Sequence, residues 1–357
     1  MKRTLSLVLA IALICLSGCG QSAAPQSSAA PAQSAAPAAS SEPAAPSSEA
    51  PAEDPAADFP AKPVEATVQW AAGGGGDLVF RALADVFADH ANGQPMVIKN
   101  VEGASGVTGS TEFMDAEADG YKVMHVNTAH VSKIHMSEVP YDITSFEPVI
   151  QIVESYNYLL VNADAKWNTL DEFIADAKAA PGTISIGNAG VGGGNHLAAL
   201  LFEQAVDAEF SHISYSGGGP TVTGLLSGEV DAAMCNAPEG MTNVDAGQLK
   251  ILGNFGSKRF EKYPDVPTAQ ESGLDLTIEQ WRGVVVPKGT PPELIAKLHD
   301  IIKECVEDER YVEKMKSMDA VPAYKNTADF KAFMESENKR FEELIKSKGL
   351  GDRYKAS

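Results

Sequence analysis

Two hydrophobic periods alternate along most of this 357-residue chain. Short β-rich runs, the first at residues 64–70, precede stretches such as residues 77–90, where apolar residues recur every three to four positions. The same succession returns through residues 183–245. Strand and helix periods that alternate in this way predict an α/β fold with mostly parallel sheets.

Glycine-rich segments separate the predicted strands from the helices at residues 73–76, 103–106, 190–195 and 216–220. In open α/β sheets, ligands bind at the carboxyl ends of the strands, where these segments would lie. Each following helix directs unpaired N–H groups and a partial positive charge toward the same region. We therefore expect a binding site for a small anion. Tight turns between strand and helix are the alternative explanation.

The N-terminus predicts export. Lys2 and Arg3 precede an apolar run at residues 5–16, which has the length of a signal-peptide core and is too short to span a bilayer. We find no later run of continuous apolar residues long enough to span a membrane. The chain is therefore expected to act outside the cytoplasm.

A lipid anchor is expected at Cys19. Ser17, Gly18 and Cys19 end the apolar run and resemble a bacterial lipobox, which makes residues 1–18 a lipoprotein signal peptide. An ordinary signal peptide with an incidental cysteine is the alternative. Residues 19–58 are rich in Ala, Pro and Ser and predict a disordered tether, because they cannot bury enough apolar surface to fold.

Charge and motifs exclude several classes of protein. The 48 acidic and 28 basic residues give a net charge of −20, which argues against a nucleic-acid partner. The four cysteines are too few and too scattered for a disulfide scaffold or a zinc site. We find no nucleophile elbow, no His/Cys pair with metal-ligand spacing and no P-loop, so we expect neither an enzyme nor a bound metal or cofactor. An enzyme with Cys235 as nucleophile is a remote alternative.

Short motifs occur in a definite order through the chain. They are Gly73-Gly74-Gly75-Gly76-Asp77 with Arg81, Asp119-Gly120-Tyr121, Tyr215-Ser216-Gly217-Gly218-Gly219-Pro220, Pro264-Asp265-Val266-Pro267-Thr268, Glu271-Ser272-Gly273, Trp281-x-Gly283 and Pro287-x-Gly289-Thr290-Pro291. Their order and spacing resemble the substrate-binding proteins of tripartite tricarboxylate transporters. The resemblance covers about residues 64–350.

The resemblance implies a bilobal, type II periplasmic-binding-protein-like fold, with two α/β lobes joined by a two-stranded hinge. We place lobe one at residues 64–158 plus 280–357 and lobe two at residues 159–279. The implied function is that of an extracytoplasmic lipoprotein that captures a small carboxylate anion between the lobes. Integral-membrane subunits of an ion-gradient-driven transporter would receive the ligand.

The resemblance leaves the setting of the protein partly open. We expect a monomer held by its lipid on the outer face of the cell membrane, or in the periplasm of a Gram-negative source. A receptor that presents its ligand to a sensor protein would use the same fold and site. A purely structural surface lipoprotein is a further alternative.

The candidate ligand-binding residues lie in the glycine segments, at strand ends and at the two predicted hinge crossings. They are Gly74, Gly75, Asp77, Ser105, Gly106, Val107, Asn127, Thr128, Tyr156, Asn157, Gly193, Asn195, His196, Gly217, Gly218, Asn236, Trp281 and Arg282. Backbone N–H groups and polar side chains would hold one carboxylate. The guanidinium of Arg282 would bind a further carboxylate through two hydrogen bonds.

Several of these residues have a structural alternative. Asp77 would order the first glycine segment by accepting its N–H groups, or would pair with Arg81 on the helix surface. His196 would bind an anion as a cation at low pH, or would be a packed or capping histidine. Trp281 is a lid or a core residue, and Arg282 is a clamp or an exposed strand arginine. Ordinary turn chemistry would explain Asn127 and Thr128.

Two residues bear on the charge of the ligand. Cys235 stands where the resembling family commonly has an acid, which disfavours a ligand amine and hence an amino acid. Glu239 lies close by in sequence and could supply that negative charge instead. Cys235 and Cys305 are expected to be free, buried thiols, because a disulfide between them would lock the lobes together.

Overall fold

A computed structural model describes residues 56–260 and 262–352 of the chain. The predicted signal peptide at residues 1–18, the lipidation site Cys19 and the tether up to residue 55 lie outside these residues. The last predicted tether residues, 56–58, form a turn.

Strands and helices alternate through the described residues as the sequence predicts. The strands are β1 (Val64–Val68), β2 (Met96–Asn100), β3 (Lys122–Asn127), β4 (Phe146–Asn162), β5 (Ser185–Asn188), β6 (Ser211–Ser214), β7 (Ala232–Asn236), β8 (Leu249–Asn254), β9 (Glu279–Pro287) and β10 (Val321–Lys325). The helices are α1 (Gly75–His90), α2 (Val107–Met114), α3 (Thr128–Met136), α4 (Leu170–Ala179), α5 (Gly194–Val206), α6 (Gly218–Leu226), α7 (Ala237–Asp245), α8 (Pro292–Glu307), α9 (Glu309–Ser317) and α10 (Thr327–Ser347). Within residues 56–260 and 262–352, none of these helices combines the length and apolarity that a membrane span requires.

The strand β4 is shared by two sheets. Its residues up to Tyr156 pair with β9 and β10, and its residues from Asn157 pair with β7 and β8. The strand order is β2-β1-β3-β9-β4-β7-β5-β6. We call β2-β1-β3-β9 with the first part of β4 and β10 sheet 1, and the rest sheet 2. The predicted α/β fold is confirmed, but the expectation of mostly parallel sheets is wrong, because only the outer strands pair in parallel and all the pairs that involve β4 or β9 are antiparallel.

Both sheets are covered by helices on both faces, and the strand residues show it. In β3, Val123 packs among residues of α1 and α8, whereas its neighbour Met124 packs on the opposite side with α2, α3 and α10. In β7, Cys235 packs with α6 and α7, whereas Met234 packs with α4 and α5. Successive strand side chains point to opposite faces, so such strands read as continuous apolar runs.

Two adjacent segments connect the sheets. One is the middle of β4, and the other enters β9 at residue 279. The buried Asn157 ties them together, because its Nδ2 donates to the carbonyl oxygen of Ile278 at 3.1 Å. On this geometry we propose the lobe boundaries given above, with lobe one built on sheet 1 and lobe two on sheet 2.

Helix α3 is an element that the sequence pattern does not predict. The expected strand ends at Asn127 and Thr128, and the structure begins a helix there, with Asn127 Oδ1 accepting from His130 N at 3.1 Å. All nine residues of α3 are buried, since it packs against α5 and α10. Polar residues such as His130, Ser132 and Lys133 are buried in this helix together with the apolar ones, so it lacks the periodicity that reveals a surface helix.

We predict that Cys235 and Cys305 do not react with iodoacetamide in the native protein. Both thiols are free and buried, one in β7 and one in α8, and burial raises the pKa of each. Only the thiolate is an effective nucleophile, so both access and ionisation are restricted. Peptide mass spectrometry after labelling, with and without guanidinium, measures each site separately.

A Ser336→Cys variant supplies the positive control for this labelling, because Ser336 is exposed on α10. The introduced thiol should react in the native state. Native labelling of Cys235 or Cys305 at the rate of this control would contradict the enclosed positions assigned to them.

Candidate functional site

Residues from both sheets enclose a cavity of about 30 Å³ at the carboxyl ends of the parallel strands. That volume holds roughly one or two water molecules. We call it the central cavity. Its walls are formed by Trp70, Gly75, Gly76, Asn127, Ala129, Ala189, Gly194, Asn195, Gly218, Asn236, Glu239, Gln280 and Arg282. The elements that carry these residues meet across the cavity, so the cleft between the sheets is closed.

Helix N-termini converge on the central cavity. Helices α1, α5 and α6 begin at Gly75, Gly194 and Gly218, and α7 begins directly after Asn236. A Cβ atom at Gly75 would lie 2.5 Å from Asn236 Oδ1, and one at Gly194 would lie 2.6 Å from Gln280 Nε2. Glycine therefore lets each of these helix starts approach a polar side chain from another element without displacing it.

The buried carboxylate of Asp77 holds the first glycine segment, residues 73–76, in its conformation. Its Oδ2 accepts from Gly73 N at 2.9 Å and from Arg81 Nε at 2.8 Å, and its Oδ1 accepts from Asn100 Nδ2 at 2.9 Å. Burial alone would raise the pKa of this carboxyl, but the hydrogen bonds from Arg81, Gly73 and Asn100 outweigh it and hold the pKa below its ordinary value. Loop ordering and the ion pair are thus both present.

Arg282 brings a positive charge into the central cavity. It lies on β9 and is only 2% exposed. Nη1 donates to Ser155 Oγ at 2.7 Å and Nη2 donates to Asn236 Oδ1, while Nε has no hydrogen-bond partner among the described residues. None of the ion pairs found in the described part of the chain involves Arg282. Burial lowers its pKa to about 10, and nearby Glu239 opposes that shift, so the guanidinium stays charged at neutral pH.

Glu239 is the single carboxylate among the residues that line the central cavity. Its Oε2 accepts from Asn236 N at 3.0 Å and from Asn195 Nδ2 at 2.9 Å. Its Oε1 accepts from Gly75 N at 3.4 Å, which links lobe two to the start of α1. The spacing of Asn236 and Glu239 matches a capping box at the N-terminus of α7.

Half of the sequence-predicted residues lie at or directly beside this cavity. Six line it, and they are Gly75, Asn127, Asn195, Gly218, Asn236 and Arg282. Gly74, Gly193 and Gly217 precede the first residues of α1, α5 and α6. Ser105 and Gly106 line a second cavity of about 10 Å³, which shares Trp70 and Asn127 with the central one.

Other predicted residues are placed away from the cavity wall. Asp77 accepts a hydrogen bond from Gly73 in the first glycine segment but does not line the cavity. Val107 packs, half-buried, against the apolar core. The Thr128 hydroxyl accepts from Trp281 N at 3.0 Å, and Trp281 Nε1 donates to Glu337 at 3.1 Å. The indole is enclosed by aromatic rings of α10 and acts as a core residue.

The two hinge residues and His196 have positions of their own. Asn157 is fixed at the hinge, and Tyr156 lines a separate groove of about 480 Å³ together with Phe260. His196 Nδ1 accepts from Gly192 N at 2.9 Å. Burial, with smaller contributions from His212 and Lys133, lowers the pKa of His196 to about 4, so it carries no charge at neutral pH.

Trp70 and Gln280 line the central cavity but were not predicted from the sequence, and Glu239 was considered only as a substitute for the acid missing at Cys235. Trp70 is the second residue after β1, in the region where site residues are expected, and the capping-box spacing marks Glu239. Gln280 gives no signal in the sequence because it lies within a run of β9 residues that are all buried. Its Nε2 has no hydrogen-bond partner in the described residues, and the side chain is 2% exposed.

Comparisons with known proteins agree with this architecture. A sequence model described as "Tripartite tricarboxylate transporter family receptor" matches residues 79–350. The "UPF0065 protein in gbd 5'region" of Cupriavidus necator is 32% identical over 301 residues, which cover 84% of this chain and 91% of that protein. Protein BugT of Bordetella pertussis is 30% identical over 299 residues, which cover 82% and 91%.

Solved structures show the same fold. The periplasmic binding protein BugD matches with a TM-score of 0.79 and 28% identity over 82% of this chain and 99% of its own. A protein of R. palustris solved with adipate matches with a TM-score of 0.78 and 26% identity over the same shares. The expected periplasmic-binding-protein fold is confirmed, and it is the fold of substrate-binding receptors rather than enzymes.

We predict that Asp77→Asn lowers the free energy of unfolding by about 1–3 kcal/mol at neutral pH, because it replaces one of two buried acceptor oxygens by a donor and removes the charge that pairs with Arg81. The folded pKa of Asp77 lies below its ordinary value of 3.8. Its stabilisation is therefore present above that value and is lost as the pH falls through the folded pKa. Guanidinium unfolding of wild type and variant across this range measures the difference.

Asp85→Asn is the matched control, since Asp85 is exposed on the same helix. It should change the free energy of unfolding little at any pH. Equal losses at the two positions, or a loss at Asp77 that does not shrink in acid, would contradict the role assigned to Asp77.

Proposed function

We propose, from the premise that this chain belongs to the tripartite tricarboxylate transporter receptor family, that it captures a small carboxylate anion in the central cavity. It would do so as an extracytoplasmic lipoprotein anchored through Cys19. It would then deliver the anion to the membrane subunits of an ion-gradient-driven transporter. The observation that carries the proposal is the buried guanidinium of Arg282, which has no carboxylate partner among the described residues.

A buried positive charge without a carboxylate in direct contact is unfavourable, because the protein has removed it from water and nearby Glu239 compensates it only in part. Neutral oxygens of Ser155 and Asn236 satisfy two of its nitrogens, and Nε stays unsatisfied. A ligand carboxylate beside the guanidinium would supply both the charge and the missing acceptor. The planar, always charged arginine fork suits this geometry better than an ammonium would.

The surrounding backbone supports the same class of ligand. The starts of α1, α5 and α6 meet at the cavity, and each carries N–H groups without intrahelical partners. The partial positive charge at each helix N-terminus favours an anion. The unpartnered Nε2 of Gln280 adds a side-chain donor from β9. The cavity therefore presents donors from several elements and few acceptors.

Opening of the cleft is a necessary part of the proposal. The closed cavity of about 30 Å³ is too small for a carboxylate with several carbons. Within residues 56–260 and 262–352, the chain passes between the proposed lobes in β4 and at the entry to β9, and these two segments lie side by side at Asn157 and Ile278. We expect a hinge motion at these residues to admit the ligand and to close over it.

The relatives support a small carboxylate as ligand and a role outside the cytoplasm. The R. palustris structure holds adipate, and BugD is described as a periplasmic binding protein. The apolar run before Cys19 is the sequence basis for export and for the lipid anchor. We expect the protein to act as a monomer.

We predict that Arg282→Lys weakens binding of the cognate carboxylate by about 10- to 100-fold, since lysine keeps the charge but loses the fork. The panel of ligands comprises citrate, tricarballylate, succinate, malate, glutamate, nicotinate and terephthalate. A ligand at 100 times its dissociation constant adds about 2.7 kcal/mol of stability, which a thermal unfolding scan detects. The ligand that stabilises the wild type is then titrated into the variant.

Arg310→Lys is the control, because Arg310 is an exposed arginine that pairs with Asp89 and Asp308 on the surface. It should bind as the wild type does, and far-UV circular dichroism confirms that each variant is folded. The proposal fails if no carboxylate stabilises the wild type. It also fails if Arg282→Lys binds the ligand with unchanged affinity.

A further inference from the structure

We propose that Glu239 restricts the ligand to a monocarboxylate that also carries a hydrogen-bond donor, either an ammonium or a hydroxyl group. The same residue would make the cavity discriminate against dicarboxylates. This inference rests on the proposed function, since it concerns the same cavity, and it narrows the class of carboxylate that the cavity accepts.

The Glu239 carboxylate lies where three helix starts meet. It accepts hydrogen bonds from Gly75 N at the start of α1 and from Asn236 N at the start of α7. It also takes the side-chain donor of Asn195, at the start of α5. These are donors of the kind that a second ligand carboxylate would need. The protein has filled that part of its anion site with a carboxylate of its own.

The charges of the cavity wall balance without a ligand. Arg282 is the only cation and Glu239 the only anion among the residues that line the central cavity. One ligand carboxylate can pair with the guanidinium. A second would have no further cation among these lining residues and would lie near the carboxylate of Glu239. Two carboxylates that share a site with little water repel each other strongly.

The Glu239 carboxylate can still accept a hydrogen bond from a ligand. A carboxylate offers about four lone-pair sites, and three donors from the chain occupy Glu239. One acceptor site remains for a ligand. Both an ammonium and a hydroxyl group would satisfy it, and an ammonium would also compensate the charge. The two kinds of ligand share this chemistry, and the experiment below separates them.

A helix cap alone does not account for this arrangement. Glu172 of α4 stands at the corresponding position after the cap residue Thr169, and its Oε2 accepts from Asn168 N at 2.6 Å. That carboxylate lies on the surface and serves only its own helix start. Glu239 has the same capping role but also contacts α1 and α5. Glu172 therefore provides a matched control.

The test uses the full chain at neutral pH and isothermal titration calorimetry with length-matched sets of probes. The sets are malonate with glycine and glycolate, succinate with 3-aminopropanoate and 3-hydroxypropanoate, and glutarate with 4-aminobutanoate and 4-hydroxybutanoate. In the set that fits the cavity, we expect the amino or the hydroxy compound to bind at least about tenfold more tightly than the dicarboxylate. Which of the two binds better identifies the donor.

Glu239→Gln then tests the residue itself. Glutamine is also a favourable capping-box residue, so α7 keeps its cap and the variant is expected to fold. Its amide removes the negative charge, and we expect the preference over the dicarboxylate to fall by at least about tenfold or to reverse. Glu172→Gln should leave the preference unchanged.

The outcomes separate this inference from the proposed function. A wild-type protein that prefers a dicarboxylate, as the adipate-bound relative would suggest, overturns the inference and leaves the proposed function standing. An unchanged preference in Glu239→Gln also overturns it. If the wild type binds none of these probes and none of the larger panel, the proposed function fails and the inference fails with it.

Discussion

Arg282 lies where the two sheets meet, and the groups around it must compensate its buried positive charge. Its hydrogen bonds reach Ser155 on β4 and Asn236 at the end of β7, so one side chain from β9 contacts both lobes. Removing a guanidinium from water is costly, and the oxygens around it are neutral except for nearby Glu239. The closed cleft therefore holds a charge that is only partly compensated, which makes it responsive to an anion.

The glycine segments allow helix starts from both lobes to approach each other closely. For donors from both lobes to reach one small ligand, the starts of several helices must approach each other more closely than side chains permit. Gly75 lies against Asn236 and Gly194 lies against Gln280, with no room for a Cβ atom at either position. Because Asp77 is buried below the first segment and binds its backbone, that loop is held in place before any ligand arrives.

Local signals predicted much of the fold and part of the site. Each glycine segment precedes a helix that was expected from its periodicity, and the starts of α1, α5 and α6 lie at the central cavity. Residues whose role depends on tertiary packing were not predictable in this way. Helix α3 is enclosed on all sides, and Gln280 lies in a strand without alternation. Tyr156 was expected at the cleft, but it lies in a different groove, because β4 turns successive side chains to opposite faces.

Glu239 shows how one residue can serve the fold and the site with the same atoms. Its carboxylate caps α7, and through Gly75 it also links α7 to α1 across the cleft. Opening the lobes must break that link, whereas the cap within lobe two can remain. On the proposed hinge motion, the hydrogen bonds from Asn236 and Asn195 within lobe two would hold the acid in the same orientation when the cleft opens. Such a cleft differs from a purely electropositive one. It would favour a ligand carboxylate beside Arg282 and disfavour a second carboxylate beside Glu239.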